Sequence, residues 1–253
     1  MSWAIVTGAS SGIGESVSLG LAQSGLNVFL IARRKEHLRK LAEHLQVTYP
    51  KQTFLPIELD VCDSKKLRQF VEQHSTKLAE LEVLINNAGL AAGTAKVQDL
   101  QRQDLASMLD TNVKALIELT SLVLPAMIQN RRGFVVNLGS VAGKWTYSGG
   151  AVYCATKFAV RGFSEALRQD LHGTGVRVCN IEPGMVETEF SLVRFNDPEK
   201  AAQVYAGMKP LTATDIAETI LWVVKQPQHV NIQEVVVFPT DQSAIGMVER
   251  RKQ

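Results

Sequence analysis

Short apolar runs recur along the chain at residues 4–7, 28–32, 53–59, 83–86, 134–138, 177–181 and 234–238. Most are continuous rather than alternating, which predicts strands buried on both faces. Between them, apolar residues return every three or four positions over 13–24, 35–48, 64–77, 103–129, 151–172 and 213–225, the period of amphipathic helices. Strands alternating with helices predict an α/β fold, a doubly wound parallel sheet with right-handed helical crossovers. Asp63-Ser64 and Thr214-Asp215 supply capping residues, and Gly25, Gly173 and Gly175 stand where helices should stop. Residues 186–210 are the least regular stretch, a loop with short helices suited to covering a site. No repeat or linker divides the chain, so one domain over residues 1–253 is expected.

Composition narrows the class. At 253 residues, 45% hydrophobic and 21% charged, the chain is neither disordered, collagenous nor a coiled-coil rod. Lys+Arg 27 against Asp+Glu 25 leaves +2, which gives no argument for nucleic acid or for an anionic membrane. Cys62, Cys154 and Cys179 form no CxxC pair, and His37, His44, His74, His172 and His229 form no HxxxH or HxH group. Neither a disulfide framework nor a metal site is expected. No uninterrupted apolar run reaches the ~18 residues of a membrane span. Trp3-Ala4-Ile5-Val6 follows Met1-Ser2 directly, leaving no room for a leader, so a soluble cytoplasmic protein is expected.

Candidate chemistry begins at the first strand's end. Thr7-Gly8-Ala9-Ser10-Ser11-Gly12-Ile13-Gly14 follows a strand and opens a helix. Glycines there let the backbone turn sharply against a pyrophosphate, whose charge suits helix N-terminal N–H groups. The spacing is GxxxGxG rather than GxGxxG. The second strand ends Ala32-Arg33-Arg34-Lys35, with no acid at its tip. An acid at that place binds the ribose 2′-hydroxyl of NAD, whereas cations suit the 2′-phosphate of NADP, with Arg33 and Arg34 as its contacts. A solvated basic helix start has the same composition. Asp60-Val61 and Asn86-Asn87-Ala88-Gly89 close the next two strands, where ligands of open parallel sheets collect.

Tyr153 and Lys157 stand one helical turn apart, on one face. A neighbouring ammonium would draw the phenol pKa from near 10 toward neutrality, so that Tyr153 could exchange a proton while hydride moves to or from a nicotinamide. Ser140, after the fifth strand, would hold the same substrate oxygen. YxxxK alone occurs by chance in many helices. The glycine turn, the strand-end serine and Gly149-Gly150 before the helix give it weight.

Together, Thr7–Gly14, Asp60-Val61, Asn86-Asn87-Ala88-Gly89, Asn112, Ser140, Tyr153/Lys157 and Pro183-Gly184 resemble the short-chain dehydrogenase/reductase family over nearly the whole chain. The resemblance implies a single-domain Rossmann-type fold with a seven-stranded parallel sheet. It implies a Ser140–Tyr153–Lys157 triad, Asn112 holding a relay water, and Lys157 on the nicotinamide ribose. Gly8, Ser10, Ser11, Gly12, Ile13 and Gly14 would carry the pyrophosphate end of NADP(H). Asp60 and Val61 would flank the adenine, Asn86, Ala88 and Gly89 the cofactor, and Pro183, Gly184, Val186 and Thr188 the nicotinamide. Gly139-Ser140, Lys144–Tyr147 and Thr188–Phe195 are similar to the branch of NADP-dependent 3-hydroxy acid, serine and L-allo-threonine dehydrogenases. The segment 184–188 is shorter than that branch pattern and carries Glu187. Serine, allo-threonine or another 3-hydroxy acid is thereby implied as substrate, with a homo-oligomeric state, dimer or tetramer. Arg194 is a candidate for the substrate carboxylate, and Trp145 and Tyr147 for shaping the pocket. Two alternatives stay open: a broad NADPH-dependent ketone, aldehyde or dicarbonyl reductase, and a non-catalytic sensor of NADP redox state.

Overall fold

The computed structural model describes residues 2–251. Seven strands, β1 Trp3–Thr7, β2 Asn27–Ala32, β3 Phe54–Glu58, β4 Leu81–Asn86, β5 Gly133–Leu138, β6 Val176–Pro183 and β7 Glu234–Val237, form one sheet in the order β3-β2-β1-β4-β5-β6-β7. Every pairing in it is parallel. The seven predicted runs are these strands, with ends moved by a few residues. Continuous burial holds for β1, β2 and β5. It fails at the margins: in β3 only Phe54 is buried and the rest alternate between partly and fully exposed, and β7 is half-buried throughout, because these edge strands are less covered.

Helices cover both faces. On one, α1 Gly12–Gln23, α2 Lys35–Thr48 and α8 Ala213–Val224 pack around Val17, Leu21, Leu38, Leu45, Ile216 and Ile220. On the other, α3 Ser64–Gln73, α4 Arg102–Gln129 and α5 Ala151–Asp170 cover Ile5, Phe29, Leu84, Val135 and Val178. Each such fully buried aliphatic or aromatic side chain contributes about 1.5–3 kcal/mol. Two short helices, α6 Phe190–Phe195 and α7 Pro198–Tyr205, make up the irregular 186–210 stretch. The helix predicted over 64–77 breaks at His74, with a single further turn at Ser75–Leu78. Asp63 caps α3 by accepting from the Lys66 N–H, as expected. The cap of α8 is Thr212, paired with Asp215 in a reciprocal box, whereas Thr214 lies inside the helix.

Two features of α4 were not legible as periodicity. Its middle, Asp110–Ala115, is π-helical, and Asn112 sits there, buried. The helix is also long and apolar enough, by length and composition alone, to cross a membrane, which corrects the expectation drawn from uninterrupted runs. Its inner face, including Leu119, Val123 and Met127, packs on the sheet. Its outer face leaves Leu105, Leu109, Ile117 and Ile128 exposed.

At the carboxyl ends the register aligns Asn86 with Asn137, Asn137 with Asn180, and Asn180 with Glu234. This polar row crosses an otherwise apolar sheet. Asn86 donates to Thr120 Oγ1 and Asn137 Oδ1 at 2.9 Å, and Asn137 to Ser164 Oγ at 2.8 Å. Strands β4 and β5 are thereby tied to α4 and α5 at fixed heights.

Candidate active site

The carboxyl edge of the sheet assembles the site. After β1 the chain turns through Gly8 (φ +67°) and Gly12 (φ +57°) into α1, conformations that favour glycine. A Cβ on Gly14 would fall inside the van der Waals radius of the Gly8 carbonyl oxygen. The turn is held from behind by Asn87, whose amide donates to the Thr7 and Gly8 carbonyls at 2.9 and 3.3 Å. Thr7 Oγ1 accepts from the Asn87 and Ala88 N–H groups at 3.0 Å. Asn86, expected to flank the cofactor, points its side chain into the polar row between the strands. Alternation along a strand separates the two: of two adjacent asparagines only one can face the turn.

Arg34 folds onto the same turn. Its Nε donates to Ser10 Oγ at 3.1 Å and one Nη to Ser11 Oγ at 2.5 Å, and the other Nη pairs with Glu189 at 2.8 Å. Hydrogen bonding by Ser11 and Arg34 holds the Glu189 carboxyl below its ordinary pKa. A carboxylate therefore already sits against a fork of one guanidinium and two hydroxyls, the donor set a phosphate monoester needs. Arg33, predicted beside it, is exposed, with its side chain outside this fork. Thr188 packs over Gly12, its Cβ 3.3 Å from where a Gly12 Cβ would stand. Asp60 is exposed and accepts from the Cys62 N–H at 3.0 Å, while Val61 is buried beside it. Pro183 is buried at the end of β6, and Gly184 lies against Gln242 and Phe238. Val186 accepts from the Tyr205 hydroxyl at 2.7 Å. The glycine turn, the bare Gly89 and the Arg34 fork fit a phosphorylated dinucleotide lying across the strand ends.

Ser140 caps a short turn after β5, its hydroxyl accepting from the Ala142 N–H at 3.1 Å. Burial raises the Tyr153 pKa above the ordinary phenol value, and hydrogen bonding with Ser140 offsets part of that. The expected depression by Lys157 is not present. Lys157 Nζ stands 5.8 Å from the Tyr153 ring centroid and donates instead to the Leu138 carbonyl at 2.6 Å. Helical spacing puts both residues on one face, but the carbonyl end of β5 captures the ammonium. Burial brings the Lys157 pKa down to about 8, with Glu182 opposing the fall. Asn112 spends its amide on both backbone groups of Leu90, at 2.8 Å each, and on Thr156 Oγ1 at 3.1 Å. Both hydrogens of its amide are therefore engaged within the protein.

The irregular stretch closes over this group. Phe190 packs on Tyr153, ring centroids 5.7 Å apart. Arg194 donates to the Gly93 carbonyl at 3.1 Å and lies 5.4 Å from the Tyr147 ring centroid. Its positive charge lowers the pKa values of both Tyr147 and Tyr153 against the effect of burial. An open recess of about 290 Å³ lies alongside, lined by Gly93, Met108, Gly149, Val152 and Tyr153 among others. The charges of Tyr147 and Arg194 both bear on Tyr153. Trp145 is half exposed and packs on Phe238.

A parallel α/β sheet with a glycine turn at the tip of its first strand, and a half-buried Tyr153 hydrogen-bonded with Ser140 beside it, defines a dinucleotide-binding class of protein. The family profile for short chain dehydrogenase matches residues 2–198, and the chain belongs to that family. It is 42% identical over 250 residues to an NADP-dependent 3-hydroxy acid dehydrogenase of Schizosaccharomyces pombe, covering 98% of this chain and 96% of the relative. It is also 42% identical over 243 residues to a serine 3-dehydrogenase of Agrobacterium fabrum, covering 96% and 95%. Among solved structures, the closed form of a serine dehydrogenase complexed with NADP+ superposes with a TM-score of 0.91 at 39% identity, covering 99% of this chain and all of that one.

Proposed function

We propose that the protein is an NADP(H)-dependent oxidoreductase acting on the 3-hydroxyl, or the corresponding carbonyl, of a small 3-hydroxy acid such as serine or allo-threonine. The observation that carries this is the placement of Arg194 5.4 Å from the Tyr147 ring centroid, where its charge also reaches Tyr153. A guanidinium poised beside a proton-exchanging phenol suits a substrate with a carboxylate a few atoms from its hydroxyl. When bound, the nicotinamide supplies or accepts the hydride.

The chain's own groups do the rest. Ser140 holds the substrate oxygen. Tyr153, kept protonated by burial, is poised to donate to a carbonyl, and the Ser140 hydrogen bond and the field of Arg194 ease the reverse transfer. Lys157 binds the nicotinamide ribose. Asn112, with its amide committed to Leu90, serves the relay through its backbone carbonyl. Arg34, Ser10 and Ser11 take the 2′-phosphate, with Arg33 at the margin. Gly8, Gly12, Ile13 and Gly14 take the pyrophosphate, Asp60 and Val61 the adenine side, and Asn87, Ala88 and Gly89 the sugar-facing side. Pro183, Gly184, Val186 and Thr188 border the nicotinamide, and residues 186–210 cover the substrate within a single catalytic domain.

The relatives named for 3-hydroxy acids and serine support the same substrate class. Exposed Leu105, Leu109, Ile117 and Phe158 on α4 and α5 suit a homo-oligomer, dimer or tetramer. The three free cysteines suit the cytoplasm.

The test is spectroscopic turnover of L-serine, L-allo-threonine, 3-hydroxypropionate and neutral diketones with both cofactors, for wild type and Arg194→Ala. Arg194→Ala should lower kcat/KM for the hydroxy acids roughly 10–100-fold, the worth of a charge-assisted hydrogen bond, and leave diketones little changed. Turnover of diketones alone would leave the broad reductase. Full turnover by Tyr153→Phe would refute the proton-transfer assignment, and absence of any turnover with intact NADP binding would leave the sensor.

A further inference from the structure

Beside the site lies a set of charges that the chemistry above does not use. Glu182 stands on β6 directly before Pro183 and is fully buried. Its Oε1 accepts from Asn180 Nδ2 at 2.8 Å, and its Oε2 has no hydrogen-bond partner among the described residues. Lys144 Nζ and Arg161 Nε each stop 3.9 Å short of it. Both cations bond Glu234 directly, Arg161 at 2.9 Å. A buried carboxylate so incompletely compensated is expensive by several kcal/mol, and burial, with Glu234 adding to it, pushes the Glu182 pKa up to about 7.

Its position explains what such a group could do. A Cβ on Gly143 would meet the Lys157 carbonyl at 2.8 Å and Glu182 Oε1 at 3.4 Å. A Cβ on Gly139 would likewise meet the Asn180 amide nitrogen at 3.0 Å. Glu182 and Asn180 therefore lie directly beneath the 139–144 segment that carries Ser140. A single glycine separates the carboxylate from the turn of α5 that carries Lys157.

We propose, resting on the Ser140–Tyr153–Lys157 assignment above, that Glu182 is a positioning residue for the reaction. Its carboxylate, beside the main-chain carbonyl of Lys157, forms with Asn180 the floor under the Ser140 segment and the turn of Lys157, and its charge is the nearest negative one acting on the Lys157 ammonium held at Leu138. The groups facing it are Lys144 from the turn after β5, Arg161 and Lys157 from α5, and Glu234 from β7. Cys179 on its own strand is a neutral thiol, its pKa pushed up to about 12. With Glu182 ionised, Lys144 and Arg161 balance Glu182 and Glu234, and Lys157 faces a neutral cluster. With Glu182 protonated or replaced, one positive charge is left over and Lys157 is pressed toward the neutral amine. The unpaired Oε2 is consistent with this role: a carboxylate fully bonded to Lys144 and Arg161 would exert a weaker field on Lys157.

The test uses full-length protein with ¹³C-labelled lysine, the Lys157 signal assigned by Lys157→Arg, together with kcat/KM against pH. Wild type should show the main Lys157 titration and a smaller step at lower pH as Glu182 ionises. In Glu182→Gln the small step should vanish. The Lys157 titration and the alkaline limb of kcat/KM should both move about one pH unit lower. Glu182→Asp, which keeps the charge, should recover most of the displacement. A Lys157 titration unmoved in Glu182→Gln would overturn the proposal. Should that variant fail to fold, a wild-type Lys157 signal without the lower step does the same. Full turnover by Tyr153→Phe would remove the underlying assignment instead, whereas an inactive Tyr153→Phe with an unmoved Lys157 removes this proposal alone.

Discussion

Replacing Lys157 by methionine should abolish turnover and, at neutral pH, make the protein more stable. The side chain is 6% exposed, and its ammonium donates to the Leu138 carbonyl at 2.6 Å. Burial takes its pKa from 10.5 to about 8, which corresponds to about 3 kcal/mol of destabilisation while the group is charged. Methionine keeps the stem and removes the charge, but leaves the Leu138 carbonyl without that donor, at about 1–3 kcal/mol. The net gain at pH 7 is about 1 kcal/mol. The pH dependence is the sharper expectation. Between pH 8 and 10.5 the unfolded wild-type chain binds the proton that the folded one has released, so wild-type stability rises with pH by about 3 kcal/mol through that window. Below about 8 the penalty is present in full. The methionine variant has no such rise, so its advantage should shrink above pH 8 and then reverse. Urea unfolding of both proteins at pH 7, 8, 9 and 10, with unchanged m-values, reads this directly. A stability difference independent of pH would refute the reasoning.

Three further outcomes follow from the cofactor turn and the helix caps. Arg34→Ala should weaken NADP+ by about 10–100-fold and NAD+ little, with the difference shrinking at high salt; equal losses by fluorescence titration would contradict the 2′-phosphate assignment. Gly14→Ala drives a methyl into the Gly8 carbonyl, so dinucleotide affinity should collapse and Tm should fall, whereas an unchanged melting curve would mean the turn is looser than drawn. Thr212→Ala removes one arm of the α8 capping box and should lower stability by about 1 kcal/mol in urea unfolding, without altering cofactor affinity.

The strands were legible because a parallel sheet buries both faces, and continuous apolar runs such as Val28–Ala32 have few other uses. The π-helical turn in α4 was not. Its residues keep helical spacing, and the cause lies elsewhere in the chain: Asn112 is drawn to both backbone groups of Leu90. The positions of Ser140, Tyr153 and Lys157 could be read from motif order, but not the direction of the Tyr153 shift. Spacing fixes which face two residues share, while burial and the Leu138 carbonyl decide where the ammonium goes. Asn87 was overlooked beside Asn86, though strand alternation would have separated them. The signal for Glu182 was an acid inside the apolar strand Cys179-Asn180-Ile181-Glu182, a placement that only a compensating cluster permits. Which way Trp145 packs was not legible either, because an aromatic near a strand end can pack outward as readily as inward, here onto Phe238.

The segment covering the site is fastened largely from its far side. Gln242 accepts from the Met185 N–H, Asp241 from the Lys209 N–H, Arg250 reaches the Val204 and Ala206 carbonyls, and the Arg251 N–H donates to Gly207. On the covering segment's side these bonds all use main-chain atoms, which are the same whatever side chains it carries. Exchanging side chains along residues 190–195 therefore leaves these particular bonds in place, and what it can loosen is the segment's near side, where the Arg194 side chain holds the Gly93 carbonyl.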